Sequence, residues 1–538
     1  MKYSRLLLLL LVISLIGGGV LAAKPAKRTL DKNQVLYYNL TTEPKVLDPA
    51  LSTGLPESRV EHACFEGLTN FGVNDRPVPA GAVRWKISSD GKTYTFYLRK
   101  KAKWSNGDPV TAYDYEYAWK RLLDPKTGSA YAGNLYYLQN GEEYNTGKIK
   151  NAAAVGVKAK NKTTLVVTLK APCSYFLSLT VQPSLYPLNR KVIEANPKWD
   201  SAPKTYIGNG PFKLAKWVHQ EKLELVPNPY YWNKSKVKLA KLVCYTIEEQ
   251  STGLTMFETG KLDVLDELPR QEIPRLEKKG LVKLTPTIGT YYYLINVKKK
   301  PFKDPLVRKA LALSIDRGQI IKYITKGGEK ASLAFVPFGV PDAAGASEFR
   351  TVGGNYFKDG DIDNAKKLLK EAGYADPKKF PTIQILYNTS ETHKQIAEAI
   401  QEMWRKRLGI NVTLTNQEWK VYLESRKHGD FEIARSSWFG DYVDPMTFLD
   451  LWTSDNGNNF SGWSNARYDK LIGQAKVTVN AKARLKLLHK AEELLMAEMP
   501  IIPIHYYTRP VLISKWTKRV RYSAVGLIDF SRAYILAH

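Results

Sequence analysis

The sequence predicts an α/β fold, because short β-branched and aromatic runs alternate with amphipathic segments that carry their own caps and stops. Lys92–Lys100 (KTYTFYLRK) and Thr163–Lys170 (TTLVVTLK) have strand composition. Between them, Thr111–Pro125 (TAYDYEYAWKRLLDP) has a helical pattern. Thr111 and Asp114 make a capping box, Tyr115, Ala118, Trp119 and Leu122 share one face, and Pro125 closes the segment.

The clearest unit runs from Phe380 to Trp419. Ile383, Ile385 and Tyr387 alternate as in a strand. A helix is predicted from Thr392, with Thr392 and Gln395 as a capping box. Its apolar stripe is Ile396, Ala399, Ile400, Met403 and Trp404, and Gly409 is its left-handed stop. Ile410, Val412 and Leu414 then alternate in a second strand. The simplest arrangement is a right-handed βαβ unit with parallel strands. Near the C-terminus, Leu487, Ala491, Leu494 and Leu495 mark one more helix, stopped by Pro500.

At 538 residues the chain exceeds one ordinary core, and length alone suggests about two to four domains. A hydrophobic content of 44% with 25% charged residues is that of a globular chain rather than a disordered one. The first 23 residues read as a cleavable signal peptide rather than an uncleaved membrane anchor: Lys2 and Arg5, the apolar run Leu6–Ile16, then small residues suited to cleavage near Ala22 or Ala23. With no cysteine at that site, the product is expected to be exported and not a lipoprotein. Cys64, Cys173 and Cys244 are too few and too far apart for a disulfide framework, which leaves one bridge or three free thiols open. The net charge of +28 becomes +26 without Lys2 and Arg5. Its lysines and arginines are spread along the chain among acids, which predicts a solvated basic surface and no nucleic-acid groove.

Templates for catalysis do not fit. Asp90–Thr93 (DGKT) resembles the tail of a phosphate loop, but Lys86 stands where a glycine is needed and a strand pattern follows. Gly462–Ala466 (GWSNA) lacks the second glycine of a nucleophile elbow. The seven histidines include no pair at metal-ligand spacing, and His489 sits in an amphipathic helix as a structural residue. Carboxylates are plentiful, yet nothing singles out a pair. No catalytic residue, metal site or cofactor is predicted.

A basic and aromatic cluster within Thr392–Asp441 does stand out. His393 would take the first helical position after its cap, where free N–H groups suit a carboxylate, or would simply face solvent. Trp419, Arg426, Arg435 and Trp438 follow, and then Asp441. Arginines pair bidentately with carboxylates, tryptophans wall a pocket, and an aspartate accepts from an ammonium group. Singly, each has a bland reading as surface charge or core. Together they describe a site for a molecule with a cation at one end and an anion at the other.

Over nearly its whole mature length the chain resembles the periplasmic oligopeptide-binding proteins of ABC importers, within a solute-binding family that also covers dipeptide and nickel binders. Phe65–Pro125, Ile207–Leu214 (IGNGPFKL) and Pro227–Trp232 (PNPYYW) carry the family-level match. The narrower, oligopeptide-type match is Ile385–Ile400 (ILYNTSETHKQIAEAI) and Asn416–Pro445, which includes RSSWFGDYVDP.

The resemblance implies a two-lobed, type II-like periplasmic-binding-protein fold with an additional inserted domain, hinge-closing around its ligand. Its implied limits are 24–65, 191–290 and 508–538 for lobe I, 66–190 for the inserted domain and 291–507 for lobe II. By position, Asp441 would hold a peptide α-ammonium. Arg426, His393 and Arg435 would meet C-terminal carboxylates according to peptide length, Arg435 having a second reading as a pocket wall. Tyr131, Trp419 and Trp438 would line side-chain pockets, and Asn388 would be a polar pocket residue. The backbone around Ser437 and Phe439, and near Leu55, would pair with the ligand main chain.

Two departures affect pocket shape. Phe439 stands where the family carries a pocket cysteine, with Gly289 at its partner's position, and Thr53 replaces an acid near the peptide's start. The implied function is a monomeric receptor, not an enzyme, that captures short peptides in the periplasm and delivers them to an inner-membrane ABC permease. A murein tripeptide receptor is the alternative, since Arg426 and Arg435 suit an acidic ligand. A secreted peptidase or a chaperone-like holdase is the reading from a different class. The small molecules released from natively purified protein discriminate among these.

Overall fold

A computed structural model describes residues 29–342 and 347–538. The signal peptide expected at residues 1–23 lies outside the described residues. Among those residues no helix is long and apolar enough to cross a membrane, and Cys64, Cys173 and Cys244 are free and buried.

Three sheets organise the chain. A seven-stranded mixed sheet runs in the order Val282–Thr285, Arg509–Ile513, Val264–Leu265, Val35–Asn39, Lys241–Tyr245, Lys222–Pro227 and Phe212–Val218. A six-stranded sheet follows the order Lys330–Ala331, Ile501–Tyr506, Gly289–Ile295, Ile433–Phe439, Ile383–Asn388 and Val412–Gln417. A four-stranded antiparallel sheet, Ala82–Ile87, Thr93–Leu98, Thr164–Thr168 and Val157–Asn161, is covered by the helix Ala112–Leu123.

Burial follows the sequence patterns. Tyr94, Phe96 and Leu98 alternate inward on one strand, and Leu165 and Val167 do so on its neighbour. Tyr115, Ala118, Trp119 and Leu122 form the buried face of the covering helix, and the Asp114 carboxylate accepts the Thr111 N–H at 2.6 Å, as a capping box requires. Gly289–Ile295 (GTYYYLI) is buried at every position, the signature of a strand covered on both faces.

The βαβ unit forms as expected: Ile383–Asn388 pairs in parallel with Val412–Gln417 across the helix Glu391–Leu408. Its cap differs from expectation. Ser390, not Thr392, is the N-cap, so His393 is the third helical residue and donates its N–H to Ser390 Oγ at 3.4 Å. Thr392 instead turns its hydroxyl to Gln250 Oε1 at 2.9 Å. Ala397 joins the buried stripe in place of Ala399, and Gly409 ends the helix at φ 70°. In the helix Ala481–Glu498, Leu485, Leu488, Ala491 and Leu495 form the buried face, with Leu487 and Leu494 at its flanks.

The two larger sheets are joined by adjacent antiparallel crossings. Thr285 pairs with Arg509 in one sheet and Thr290 with Tyr506 in the other, and the Tyr507 N–H donates to the Gly289 carbonyl between them at 2.9 Å. Residues 286–288 and 507–508 alone carry the chain between these strands of the two sheets.

Candidate functional site

Between the two larger sheets lies a cavity of about 1590 Å³, counting its open mouth. Its wall includes Leu55, Tyr131, Asn388, His393, Trp419, Arg426, Arg435, Ser437, Trp438, Phe439 and Asp441, so the structure brings all the candidate residues to one space.

The strand Ile433–Phe439 supplies the floor. Along its whole length it pairs with Gly289–Ile295, but the parallel neighbour Ile383–Asn388 pairs only with Ile433 and Ala434. From Ser436 onward one edge of the strand has no strand beside it. An unpaired edge presents backbone N–H and C=O groups that an extended ligand can complete. In the same register Phe439 stands opposite Gly289, and a Cβ on Gly289 would lie 2.7 Å from the Phe439 ring. The bare glycine makes room for that aromatic wall.

Asp441 follows this strand. Its N–H donates to Thr447 Oγ1 at 2.8 Å, its carbonyl accepts from the Gln182 amide, and Trp438 Nε1 donates to the Thr447 carbonyl at 2.8 Å. The main chain is therefore pinned. Among the described residues, however, none donates a hydrogen bond to the Asp441 carboxylate and none forms an ion pair with it. Burial, with a smaller contribution from Asp450, pushes its pKa well above the usual carboxylate range. Tyr131 reaches the same end and sits 6.3 Å from the Trp438 ring.

The other end is basic. Arg435 is buried, with Nη2 donating to Tyr507 OH at 2.7 Å, Nη1 to Asn388 Oδ1 at 3.3 Å, and its guanidinium 4.8 Å from the Tyr291 ring centre. Arg426 donates to Ser436 Oγ at 3.3 Å and lies over Phe460 at 5.0 Å. Neither guanidinium meets a carboxylate among the described residues. His393 differs from its sequence reading as a positive group. Burial, together with Arg435, Arg270 and His505, drives its pKa well below 6.5, so it faces the cavity as a neutral imidazole. It still offers a hydrogen bond.

The opposite wall comes from the first part of the chain. Leu55 opens the helix Leu55–Cys64 and does not continue a strand, while the preceding Gly54 is extended. A Cβ on Gly54 would come within 2.8 Å of Trp419 Cζ2, so the approach of the two walls here needs glycine. Trp419 Nε1 donates across the gap to Glu57 Oε1 at 3.3 Å.

Sequence reasoning missed several cavity residues: Glu248, Gln250, Glu267, Arg270, Tyr291 and Tyr507. They are scattered single polar or aromatic positions, and no local spacing distinguishes them from surface or core.

Fold and site together define a two-lobed binding protein that closes over an internal, charge-bearing cavity. The profile "Bacterial extracellular solute-binding proteins, family 5 Middle" matches residues 76–460, and the chain belongs to that family. It is 40% identical to the oligopeptide-binding protein OppA of Bacillus subtilis, across 99% of this chain and 98% of that one. Haemophilus influenzae OppA in complex with RPPGFSPFR superposes with a TM-score of 0.88 at 36% identity, covering 94% of this chain and 100% of that chain. The Escherichia coli murein tripeptide binding protein MppA gives 0.89 at 37% identity, covering 95% and 100%. MppA in its unliganded open form gives only 0.62 at the same 37% identity, covering 96% and 99%. The drop at unchanged identity reflects lobe arrangement, so the present structure is not in that open arrangement.

Proposed function

We propose that this protein is the peptide receptor of an ABC importer, capturing short oligopeptides with a free amino end and presenting them to a membrane permease. One observation carries the reading: an unpartnered carboxylate and two guanidiniums without a carboxylate partner share one cavity with an open strand edge. At about 3.3 Å per residue, the chain from Arg435 to Asp441 spans roughly 20 Å, the reach of a short extended peptide. Asp441 would hold the ammonium group. Arg435 or Arg426 would meet the carboxylate, with His393 as a neutral donor, and the Ser437–Phe439 edge would pair with the ligand main chain whatever its side chains.

The relatives named as oligopeptide-binding proteins support this reading. The chain would act as a monomer in the periplasm after removal of residues 1–23, without a lipid anchor and without cleaving its ligand. Its seven-stranded sheet would belong to lobe I (24–65, 191–290, 508–538), its six-stranded sheet, apart from Gly289 and Thr290, to lobe II (291–507), and the four-stranded sheet to the inserted domain (66–190). Ligand contacts available only on closure would shift the open–closed equilibrium.

The test is to purify the mature protein natively, denature it and identify released small molecules by mass spectrometry. Short peptides of mixed sequence are expected. Release of nothing, together with cleavage of added peptides, would overturn the proposal.

A further inference from the structure

The basic end of the cavity also contains an acid that a carboxylate-terminated ligand would leave unused. Glu267 follows the short strand Val264–Leu265 and faces the cavity from the wall opposite Arg435. Its neighbours are already engaged: Asp266 pairs with Arg59 at 2.9 Å, and Arg270 pairs with the buried Glu329 at 2.9 Å. Another cavity acid, Glu248, accepts a 2.7 Å hydrogen bond from Thr42 Oγ1. Glu267 has no ion pair among the described residues, and the Gln250 amide reaches it only through a long 3.5 Å contact. Burial, and then Asp266, hold its carboxyl above the usual range, despite Arg270, Arg59 and Arg435 nearby. Arg435 meanwhile meets only neutral partners and the Tyr291 ring. One carboxylate and one guanidinium thus face a shared space from opposite lobes without closing on each other.

Resting on the peptide reading above, we infer that this end of the cavity selects a C-terminal residue with a cationic side chain. The ligand's carboxylate meets Arg435 and its side-chain ammonium meets Glu267. A neutral side chain would leave Glu267 desolvated and unpaired, which carries a penalty. A cationic one replaces lost water with a charge-assisted hydrogen bond. Because Glu267 and Arg435 belong to different lobes, this bidentate capture forms only when the lobes are closed, and so adds to the bias toward closure.

Calorimetry on the full mature protein, freed of bound ligand, tests the assignment with peptides of about two to five extended residues. Each peptide ends either in lysine or in norleucine, which keeps the four-carbon chain but lacks the ammonium group. Wild type is expected to prefer the lysine peptides by about tenfold or more, some 1.4 kcal/mol. Glu267→Gln should abolish that preference, the lysine affinities falling and the norleucine affinities holding or rising until the two series meet. Absence of a lysine preference in wild type overturns the inference. So does equal weakening of both series by Glu267→Gln, which would make Glu267 a support for Arg435. If wild type binds neither series, the peptide reading itself fails and takes this inference with it.

Discussion

Two carboxylates in this chain are built in opposite ways. Glu66, at the junction of the seven- and four-stranded regions, is 5% exposed and fully provided for. Its carboxylate accepts from Tyr231 OH at 2.7 Å and Trp232 Nε1 at 2.6 Å, and Arg99 stacks on the Trp232 ring at 3.3 Å. Asn209 ties both its N–H and its carbonyl at 2.9 Å. Asp441 has an equally well-held backbone, but nothing among the described residues donates to its carboxylate. A structural acid brings its donors with it, whereas an acid on the cavity wall leaves its donor to be supplied from outside. Satisfaction of the side chain separates the two roles.

The sharpest way to break that contrast is Asp441→Ala. Removing the partner of an enclosed ammonium group is expected to cost about 2–5 kcal/mol in affinity for free-amine peptides. Thermal stability of the ligand-free protein should hardly change, because no native partner of the carboxylate is lost. N-acetylated peptides should bind wild type as poorly as their free-amine forms bind the variant. Calorimetry with both peptide forms checks this, and indifference of wild type to acetylation would remove the ammonium from Asp441.

Glu66 should behave in reverse. Burial raises its pKa from 4.5 to about 7, with the Tyr231 and Trp232 donors opposing the shift. The folded state therefore holds its proton where the unfolded chain has released it. Stability from this group is complete below about pH 4.5 and is lost as pH rises through about 7, a change of about 3 kcal/mol. Urea unfolding at pH 5 and pH 8 should show Glu66→Gln losing less stability across that window than wild type, with peptide affinity unchanged. Parallel pH dependence of the two proteins would contradict the assignment.

The contrast also explains what could be read from the sequence. Asp441, Arg435 and Trp438 lie on one strand and its continuation, so their chemistry was legible as a local cluster. The unit from Ile383 to Gln417 was legible because its alternation and its glycine stop act over a few residues. The cap was misplaced by competition between adjacent candidates: Thr392 bonds Gln250 from another part of the chain, which leaves Ser390 to cap. The charge of His393 was illegible for a related reason. Its neutrality comes first from burial and then from Arg435, Arg270 and His505, which surround it only once the chain has folded. Glu267, Gln182 and Tyr507 join the cavity from separate segments, and their positions depend on how the lobes meet.

The smallest expected effect concerns that meeting. Lys420, at the start of the helix that follows Val412–Gln417, reaches Glu43, which follows Val35–Asn39, at 3.4 Å. Lys45 pairs with Glu424 between the same two parts of the chain. Both contacts bridge the segments that follow a strand of the seven-stranded sheet and a strand of the six-stranded sheet. Glu43 is 6% exposed and Lys420 is 38% exposed, so solvent screens the pair from one side. Partly exposed pairs of this kind contribute about 0.2–1 kcal/mol, less as salt rises. A double-mutant cycle of Lys420→Ala and Glu43→Ala should give a coupling in that range, read as faster peptide dissociation. Coupling should shrink as ionic strength grows, while Asp441→Ala keeps its larger penalty at every salt concentration. A salt-independent coupling as large as the Asp441 effect would mean that the mouth, rather than the cavity wall, holds the ligand.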